Sequence, residues 1–407
     1  MRVCLRAEGV SARRAAILSA IAVACLSLFA QPASAEVRAM WVQRGSLASP
    51  KTILAAVEMA RKGGFNTLIV QVRGRGDAFY DSRHEPRPAI LARQPPSFDP
   101  LELMLATAHR AGLQVHAWIN VNLVSDARPP SAQRHLVHTH PEWLMVPRTL
   151  AAALARMNPK SPAYLRRLSD YARAHSDRVE GIFLSPVHKG AADHTVRVIG
   201  DIVARYDLDG IHLDYIRFPS DEFDYSAATL HEFQSTVTAG VSEAERRDYA
   251  ARARARPLFY TEMFPVRWQE FRRDRLTALL TRIRAVVKGR RPGAMLSAAV
   301  FPDASDAANR RFQDWGGWLQ SGLLDAICPM AYTTDGALFR AQIAGVELLA
   351  GERPVWAGIG AYQLPAHETV ENIQAARRLG AEGVVLFSYD NLDASYVSKV
   401  ARGAFSP

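Results

Sequence analysis

Short apolar runs alternate with longer segments of helical periodicity along most of the chain. Each run is seven or eight residues long and mostly apolar, which is typical of the buried strands of a parallel sheet. Eight such runs are present: Val37–Gln43, Thr67–Arg73, Gln114–Asn120, Gly210–Arg217, Ala294–Val300, Ala326–Tyr332, Val355–Ala361 and Gly383–Asp390. The segments between them predict helices, among them Pro50–Lys62, Pro100–Ala111, Thr195–Tyr206, Trp268–Lys288, Trp315–Ser321 and Glu368–Leu379. Eight strand–helix repeats predict a (β/α)8 (TIM) barrel with right-handed crossovers.

Two connections between predicted strands are much longer than the others. Residues 122 to about 195 follow the third strand, and residues 218 to about 268 follow the fourth. Both therefore leave the carboxyl-terminal face, where barrel enzymes carry their active sites. The absence of a low-complexity linker favours one domain over residues 36–407. The alternative is a doubly wound sheet, which usually has a glycine-rich turn after its first strand, and Gln43-Arg44-Gly45-Ser46 is not such a turn.

The first 35 residues have the pattern of a secretory signal peptide. Several arginines precede an apolar stretch from Ala15 to Ala30, and Pro32-Ala33-Ser34-Ala35 resembles a cleavage site. The stretch is shorter than a membrane span requires, and no later segment is long and apolar enough to cross a bilayer. Cleavage after Ala35 predicts a periplasmic or secreted mature chain that begins at Glu36. A lipoprotein attached through Cys25 is less favoured, because this cysteine lies inside the apolar stretch.

The net charge limits the kinds of binding partner, and the cysteine content limits the possible disulfides. The formal net charge is +10, and it falls to about +7 once the predicted leader is removed. We expect no nucleic-acid partner, because an exported chain without a recognisable binding motif does not meet DNA or RNA. Much of the charge is arginine on predicted helices, which indicates either solvated helix faces or attraction to polyanionic envelope material. Cys328 is the single cysteine after residue 35, so we expect no internal disulfide.

The fourth apolar run ends in an unusual group of polar residues. Strand alternation places Ile211 and Leu213 on one face, and His212 and Asp214 on the other. Ionisable side chains on the inner face of an apolar strand are costly to bury. A catalytic site at the end of a barrel strand would explain them.

The second and third runs repeat this polarity. Gln71 and Arg73 share a face of the second run, and His116, Trp118 and Asn120 share a face of the third. Helices cover the outside of a barrel, so the apolar faces point outward and the polar faces point inward. The sequence therefore predicts that polar side chains from three strands converge on one rim.

This rim suits carbohydrate chemistry, because its aromatic rings offer flat apolar surfaces to sugars. Asp214 is the best-placed carboxylate, with Arg217 near enough to favour its ionised form; the alternative is a structural ion pair with Arg217 or Arg73. Glycoside cleavage usually requires two carboxylates. The candidates for the second are Glu222, Asp303 and Asp335. The predicted substrate-binding residues are Trp41, Arg73, Asp77, Tyr80, His116, Trp118, Asn120, His212, Tyr215, Arg217 and Tyr332.

Four segments resemble the glycosyl hydrolase-like 10 family of bacterial envelope proteins. They are Arg38–Val42, Gln71–Tyr80, Gly112–Trp118 and Asp209–Pro219. The resemblance implies a barrel glycosidase, and a member of the family acts on peptidoglycan glycan strands that have been stripped of their peptides. Many relatives have two adjacent acidic residues on the fourth strand, where this chain has Asp214-Tyr215. The resemblance therefore does not identify the second carboxylate.

The sequence thus predicts an exported glycoside hydrolase that acts on an envelope polysaccharide through carboxylate acid–base chemistry. No metal and no organic cofactor is implied. A second hypothesis is a non-catalytic glycan-binding barrel, since the acid pair is incomplete in the sequence. A third is an enzyme that cuts amide or ester bonds of the same polymer. The oligomeric state and the exact glycan stay open.

Overall fold

A computed structural model describes residues 36–406 and contains a closed barrel of eight parallel strands. Two further strands form a small separate sheet. The strands are β1 (Val37–Val42), β2 (Thr67–Arg73), β3 (Gln114–Asn120), β4 (Leu123–Ser125), β5 (Ile182–Phe183), β6 (Gly210–Asp214), β7 (Met295–Val300), β8 (Ala326–Ala331), β9 (Trp356–Ile359) and β10 (Gly383–Leu386). Around the barrel the order is β1-β2-β3-β6-β7-β8-β9-β10, and β10 pairs with β1. The predicted (β/α)8 barrel is confirmed, with all eight predicted runs as its strands.

Helices surround the barrel and fill its connections. They are α1 (Pro50–Lys62), α2 (Pro100–Arg110), α3 (Leu136–Thr139), α4 (Ala151–Leu154), α5 (Pro162–Ala174), α6 (Lys189–Arg205), α7 (Ala227–Thr238), α8 (Glu243–Ala255), α9 (Phe259–Met263), α10 (Pro265–Arg290), α11 (Ala304–Arg310), α12 (Trp315–Gln320), α13 (Gly336–Ala350), α14 (Ala366–Leu379) and α15 (Ala394–Val400). Several begin at clear sequence signals: Ser49 caps α1 ahead of Pro50, and Asp99 caps α2 ahead of Pro100.

The alternation of the strands divides the core into two regions. Outward side chains such as Val70 and Leu213 are fully buried in the large core between the barrel and its helices. Inward side chains form a separate cluster inside the barrel, made of Ala39, Trp41, Ile69, Trp118, Ala326, Cys328, Trp356 and Val385. The predicted parity of the second, third and fourth runs is therefore present, with Ile69 and Trp118 on the inner side.

Both long connections leave the carboxyl ends of their strands, as the sequence predicts. The one after β3 contains β4 and β5, which pair antiparallel beside the barrel mouth. The one after β6 contains α7, α8 and α9. Within residues 36–406, no helix has the length and apolar character needed to cross a membrane. The predicted leader, residues 1–35, lies outside the described residues.

Substitution of two helix leucines, one buried and one exposed, tests the packing of the core between the barrel and its helices. Leu280 of α10 is fully buried, whereas Leu54 of α1 is 49% exposed. We expect Leu280→Ala to lower the free energy of unfolding by about 2–5 kcal/mol, because it leaves a cavity in a packed core. Leu54→Ala makes the same change on a surface and should stay within about 0.5 kcal/mol of the parent. Equal effects in denaturant unfolding would contradict this assignment of the core.

Candidate active site

A cavity of about 370 Å³ opens at the carboxyl ends of the barrel strands. Its aromatic and apolar lining consists of Trp41, Trp118, Tyr215, Ala299, Phe301, Met330, Tyr332 and Phe387. Its polar and charged lining consists of Gln43, Arg44, Gln71, Arg75, Asn120, Glu180, Asp214 and Arg217. The cavity thus has aromatic walls with a small number of charged groups, which is the usual composition of a small-molecule site.

Asp214 lies at the last position of β6, directly opposite Asn120 at the end of β3. Its Oδ2 accepts a hydrogen bond from Trp118 Nε1 at 3.1 Å, and its Oδ1 accepts one from the Tyr215 backbone N–H at 2.7 Å. The register between β3 and β6 therefore holds the carboxyl group at the floor of the cavity.

Burial raises the pKa of Asp214 to about 6, although Arg217 and the two hydrogen bonds act in the opposite direction. The sequence predicts that Arg217 keeps this carboxylate ionised, and the structure shows that desolvation outweighs the arginine. Among the described residues Asp214 forms no ion pair, since Arg217 binds Glu180 and Arg73 binds Glu85. The structure therefore contains neither of the ion pairs, with Arg217 or with Arg73, that were the alternative interpretation of Asp214.

Glu180 is the second carboxylate of the cavity. It precedes β5, and its Oε1 accepts a hydrogen bond from Arg217 Nη2. The charge of Glu180 also contributes to the raised pKa of Asp214. The neighbouring Gly181 makes this position possible, since a Cβ there would lie 2.0 Å from the Ser125 carbonyl oxygen.

Tyr215 and Arg217 form the wall beside these two carboxylates. Tyr215 has a positive φ of 50°, a conformation that is uncommon for a bulky side chain and ends β6. The Arg217 guanidinium lies 4.6 Å from the centre of the Tyr215 ring and binds Glu180. The turn after β6 thus supplies both an aromatic surface and the cation that holds Glu180.

A chain of hydrogen bonds crosses the cavity floor. Arg44 donates from its backbone N–H to Gln71 Oε1 at 3.4 Å, and Gln71 Nε2 donates to Asn120 Oδ1 at 3.4 Å. The same Asn120 oxygen accepts from Trp118 Nε1 at 2.9 Å, and that indole N–H is shared with Asp214. These hydrogen bonds bring together the predicted residues Trp118, Asn120 and Asp214 and fix the orientation of their side chains.

The two predicted histidines lie below the cavity, not in its lining. His212 Nε2 accepts from Trp41 Nε1 at 3.3 Å, which leaves the proton on Nδ1 to be donated to Ser297 Oγ at 2.9 Å. Burial lowers the pKa of His212 to about 3 and that of His116 to about 4, so both rings are neutral. His116 packs against Trp356. The strand alternation correctly turns them inward, but they are too deep to touch a ligand in the cavity.

Three other predicted binding residues also lie outside this cavity. Arg73 is fully buried where the pairing of β2 and β3 is irregular, and it holds Glu85 at 2.6 Å. Asp77 lines a neighbouring cavity and accepts from the Arg75 backbone N–H. Tyr80 is buried against Tyr206. By contrast, Trp41, Tyr215, Arg217 and Tyr332 do line the cavity.

None of the three candidates for a second carboxylate lines the cavity. Asp303 caps α11 by accepting from the Asp306 backbone N–H, and Asp335 caps α13 by accepting from the Ala337 backbone N–H. Glu222 is exposed in the loop after β6. Helix caps and loop residues of this kind are common for structural reasons. The carboxylate that lines the cavity together with Asp214 is Glu180.

Sequence reasoning missed Glu180, Arg44 and Arg75, which all contribute to the cavity. The only sequence signal at Glu180 is its place before the short apolar stretch Gly181–Pro186 in the first long connection. A strand in that stretch would lead the chain back toward the barrel mouth. Among residues 36–406, no three His, Cys, Asp or Glu side chains form a cluster that could hold a metal ion.

A family model described as glycosyl hydrolase-like 10 matches residues 36–359. The chain belongs to the glycosyl hydrolase-like 10 family. This confirms the resemblance carried by the four sequence segments, and it places both Asp214 and Glu180 within the matched residues.

Known relatives are consistent with this membership. The chain is 25% identical to glycosyl hydrolase YngK of Bacillus subtilis over 68% of its own length and 48% of that protein. It is 25% identical to glycosyl hydrolase DigH of Escherichia coli over 66% of its length and 55% of that protein. The chain therefore spans about half the length of these two relatives.

The fold resembles that of solved glycoside hydrolases. The glycoside hydrolase domain of PgaB (BpsB) from Bordetella bronchiseptica superposes with a TM-score of 0.62 at 16% identity, covering 92% of this chain and all of that domain. At this identity the likeness establishes the shared barrel fold alone.

The raised pKa of Asp214 predicts a pH-dependent stability. Between about pH 4 and 6 the folded state binds more protons than the unfolded state, so the free energy of unfolding falls as pH rises. We expect Asp214→Asn to raise that free energy by roughly 1–3 kcal/mol at pH 7.5 and by little at pH 4. Asp170→Asn, on the exposed face of α5, is the matched control and should show no such gain. A gain that is equal at both pH values would refute the assignment.

The close approach at Gly181 predicts a specific sensitivity. Gly181→Ala should lower the free energy of unfolding by about 1–3 kcal/mol, because the added methyl group meets the Ser125 carbonyl oxygen. Gly293→Ala is the matched control, since no atom lies within 4 Å of a Cβ built there. Thermal unfolding of the two variants measures the difference, and equal midpoints would show that the β4–β5 contact is not needed.

Proposed function

We propose that this chain is a glycoside hydrolase that cleaves glycosidic bonds of a bacterial envelope polysaccharide, with peptide-free peptidoglycan glycan as the preferred substrate. The observation that carries the proposal is the presence of two carboxylates in one aromatic-lined cavity at the carboxyl end of the barrel. Glycosidases of most families use such a pair. Family membership and the glycoside hydrolases of similar fold support the same reaction class.

The environments of the two carboxyl groups favour different roles. Asp214, with its pKa raised to about 6, holds a proton that it donates to the glycosidic oxygen of the leaving sugar. Glu180 accepts a hydrogen bond from the Arg217 guanidinium, which orients its carboxyl group for the role of base or nucleophile. We therefore assign the acid to Asp214 and the partner role to Glu180.

The aromatic walls supply the binding surface for the sugar. Trp41 and Tyr332 meet edge to face with ring centres 6.2 Å apart, and Phe387 packs against both. His212 accepts from the Trp41 indole and so fixes its orientation. The partly exposed rings of Tyr332 and Phe387 can receive the apolar face of a pyranose while the carboxylates act on the bond beside it, and the buried Trp41 packs behind them.

The envelope as the site of action is part of the proposal. The leader pattern in residues 1–35 supports a periplasmic or secreted protein, and the positive charge favours an acidic polymer. Amino-terminal sequencing of the protein from fractionated cells tests this, with Glu36 expected as the first residue of the exported form.

Appearance of new reducing ends tests the activity. We expect the protein to release them from peptide-free peptidoglycan glycan, and we expect Asp214→Asn and Glu180→Gln each to lower kcat by about 10²–10⁴-fold. Glu222→Gln makes the same change as Glu180→Gln on an exposed loop and should keep activity within a few-fold.

Three results would contradict the proposal. Glycan binding without any new reducing ends would support the non-catalytic binding barrel. Release of peptides or acetate without reducing ends would support cleavage of amide or ester bonds. Full activity in Glu180→Gln would remove Glu180 from the reaction.

A further inference from the structure

A second cavity of about 660 Å³ adjoins the proposed active site. The two cavities share Gln43, Arg44 and Arg75 in their walls. A chain-like ligand that fills the first cavity can therefore continue into the second. We call the second space the arginine cavity, after its charged lining of Arg44, Arg75, Arg87, Arg128, Asp77 and Asp126.

The lining charges leave this cavity positive. Asp126 binds Arg75 at 2.5 Å, and Asp77 accepts from the Arg75 backbone N–H. Arg87 donates to two backbone carbonyls, and Arg128 is exposed at the edge. Four arginines thus face two aspartates, both of which are engaged by a single arginine.

Arg44 stands out because its guanidinium is partly buried and has no carboxylate partner among the described residues, whereas Arg87 is bound by backbone carbonyls and Arg128 is exposed. Its Nη1 reaches only Gln71 Oε1, at 3.5 Å, although the side chain is partly buried. Burial and the nearby charge of Arg75 lower the pKa of Arg44. A partly desolvated guanidinium beside a second arginine is unfavourable unless an anion joins it.

The local backbone is shaped to hold Arg44 at the junction. A Cβ at Gly74 would lie 2.5 Å from Arg44 Nη1 and 2.7 Å from its Cδ. The guanidinium therefore lies across a glycine, in space that any other residue would fill. The Arg44 backbone N–H also donates to Gln71, the first link of the hydrogen-bond chain that leads to Asp214.

We propose that Arg44 binds a carboxylate group on the glycan at the junction of the two cavities, and that this contact selects acidic glycans. This inference rests on the proposed function. A planar guanidinium matches a carboxylate by two parallel hydrogen bonds. A singly charged group also fits better than a phosphate, since Asp77 and Asp126 line the same cavity and repel a higher negative charge.

The test uses two forms of one polymer: peptide-free peptidoglycan glycan, whose muramic acid residues carry carboxylates, and the same glycan with these carboxyls chemically reduced to alcohols. For Arg44→Gln we expect KM to rise about tenfold to a hundredfold on the acidic glycan, with kcat little changed. On the reduced glycan its KM should match that of the parent protein. Arg44→Lys should recover part of the affinity for the acidic form.

Arg110→Gln is the matched control. Arg110 is exposed at the end of α2, on the face of the barrel opposite to the cavities, so its loss removes the same charge without touching them. It should leave KM unchanged on both glycans. An equal rise in KM for Arg44→Gln on both glycans, or no rise on either, would overturn the proposal.

A binding measurement tests the role of Arg44 independently of the proposed hydrolase activity. If the parent protein cleaves neither glycan, the proposed hydrolase activity fails, and calorimetric titration with the same two glycans then decides the role of Arg44. Weaker binding of the acidic glycan alone in Arg44→Gln supports the carboxylate site. Identical dissociation constants for parent and variant on both glycans would reject it.

Discussion

The Asp214 carboxyl is half-buried at the end of a barrel strand without an ion-pair partner among the described residues, and the arrangement of the cavity depends on this. The two nearby arginines bind other carboxylates. Arg217, three residues after Asp214, binds Glu180, and Arg73 at the end of β2 binds Glu85. Desolvation therefore dominates at Asp214 and raises its pKa to about 6, well above the usual range of an aspartate. The cost of burying this group is offset elsewhere, by an extensive core between barrel and helices.

The barrel strands position one part of the cavity lining, and a long connection supplies the other part. The register of β3 and β6 places Asn120 opposite Asp214, and the hydrogen bond from Trp118 fixes the carboxyl within that frame. Glu180 instead comes from a connection of about seventy residues, whose short strand β5 pairs with β4 beside the mouth. This division is usual in barrels, where the strands hold one part of a site and the loops bring the rest.

Much of the fold follows from the sequence, because eight buried parallel strands leave eight apolar runs that are visible without an alignment. Alternation along each run also turns Trp118, Asn120 and Asp214 inward. Alternation does not show how far along the barrel axis a side chain lies, however. His116 and His212 point inward as predicted, but they lie below the cavity. Irregular pairing at Arg73 and the path of the connection to Glu180 depend on tertiary contacts that no local pattern encodes. For this reason the sequence does not indicate that Glu180 lines the cavity.

The central claim is that Asp214 acts as the acid of a carboxylate pair, and the pH dependence of kcat/KM tests it most directly. With peptide-free peptidoglycan glycan as substrate, kcat/KM should fall above about pH 6 with the slope of a single ionisation, as Asp214 loses its proton in the free enzyme. The control Glu222→Gln should give the same profile. A kcat/KM that stays constant or rises from pH 6 to pH 9 would contradict the account.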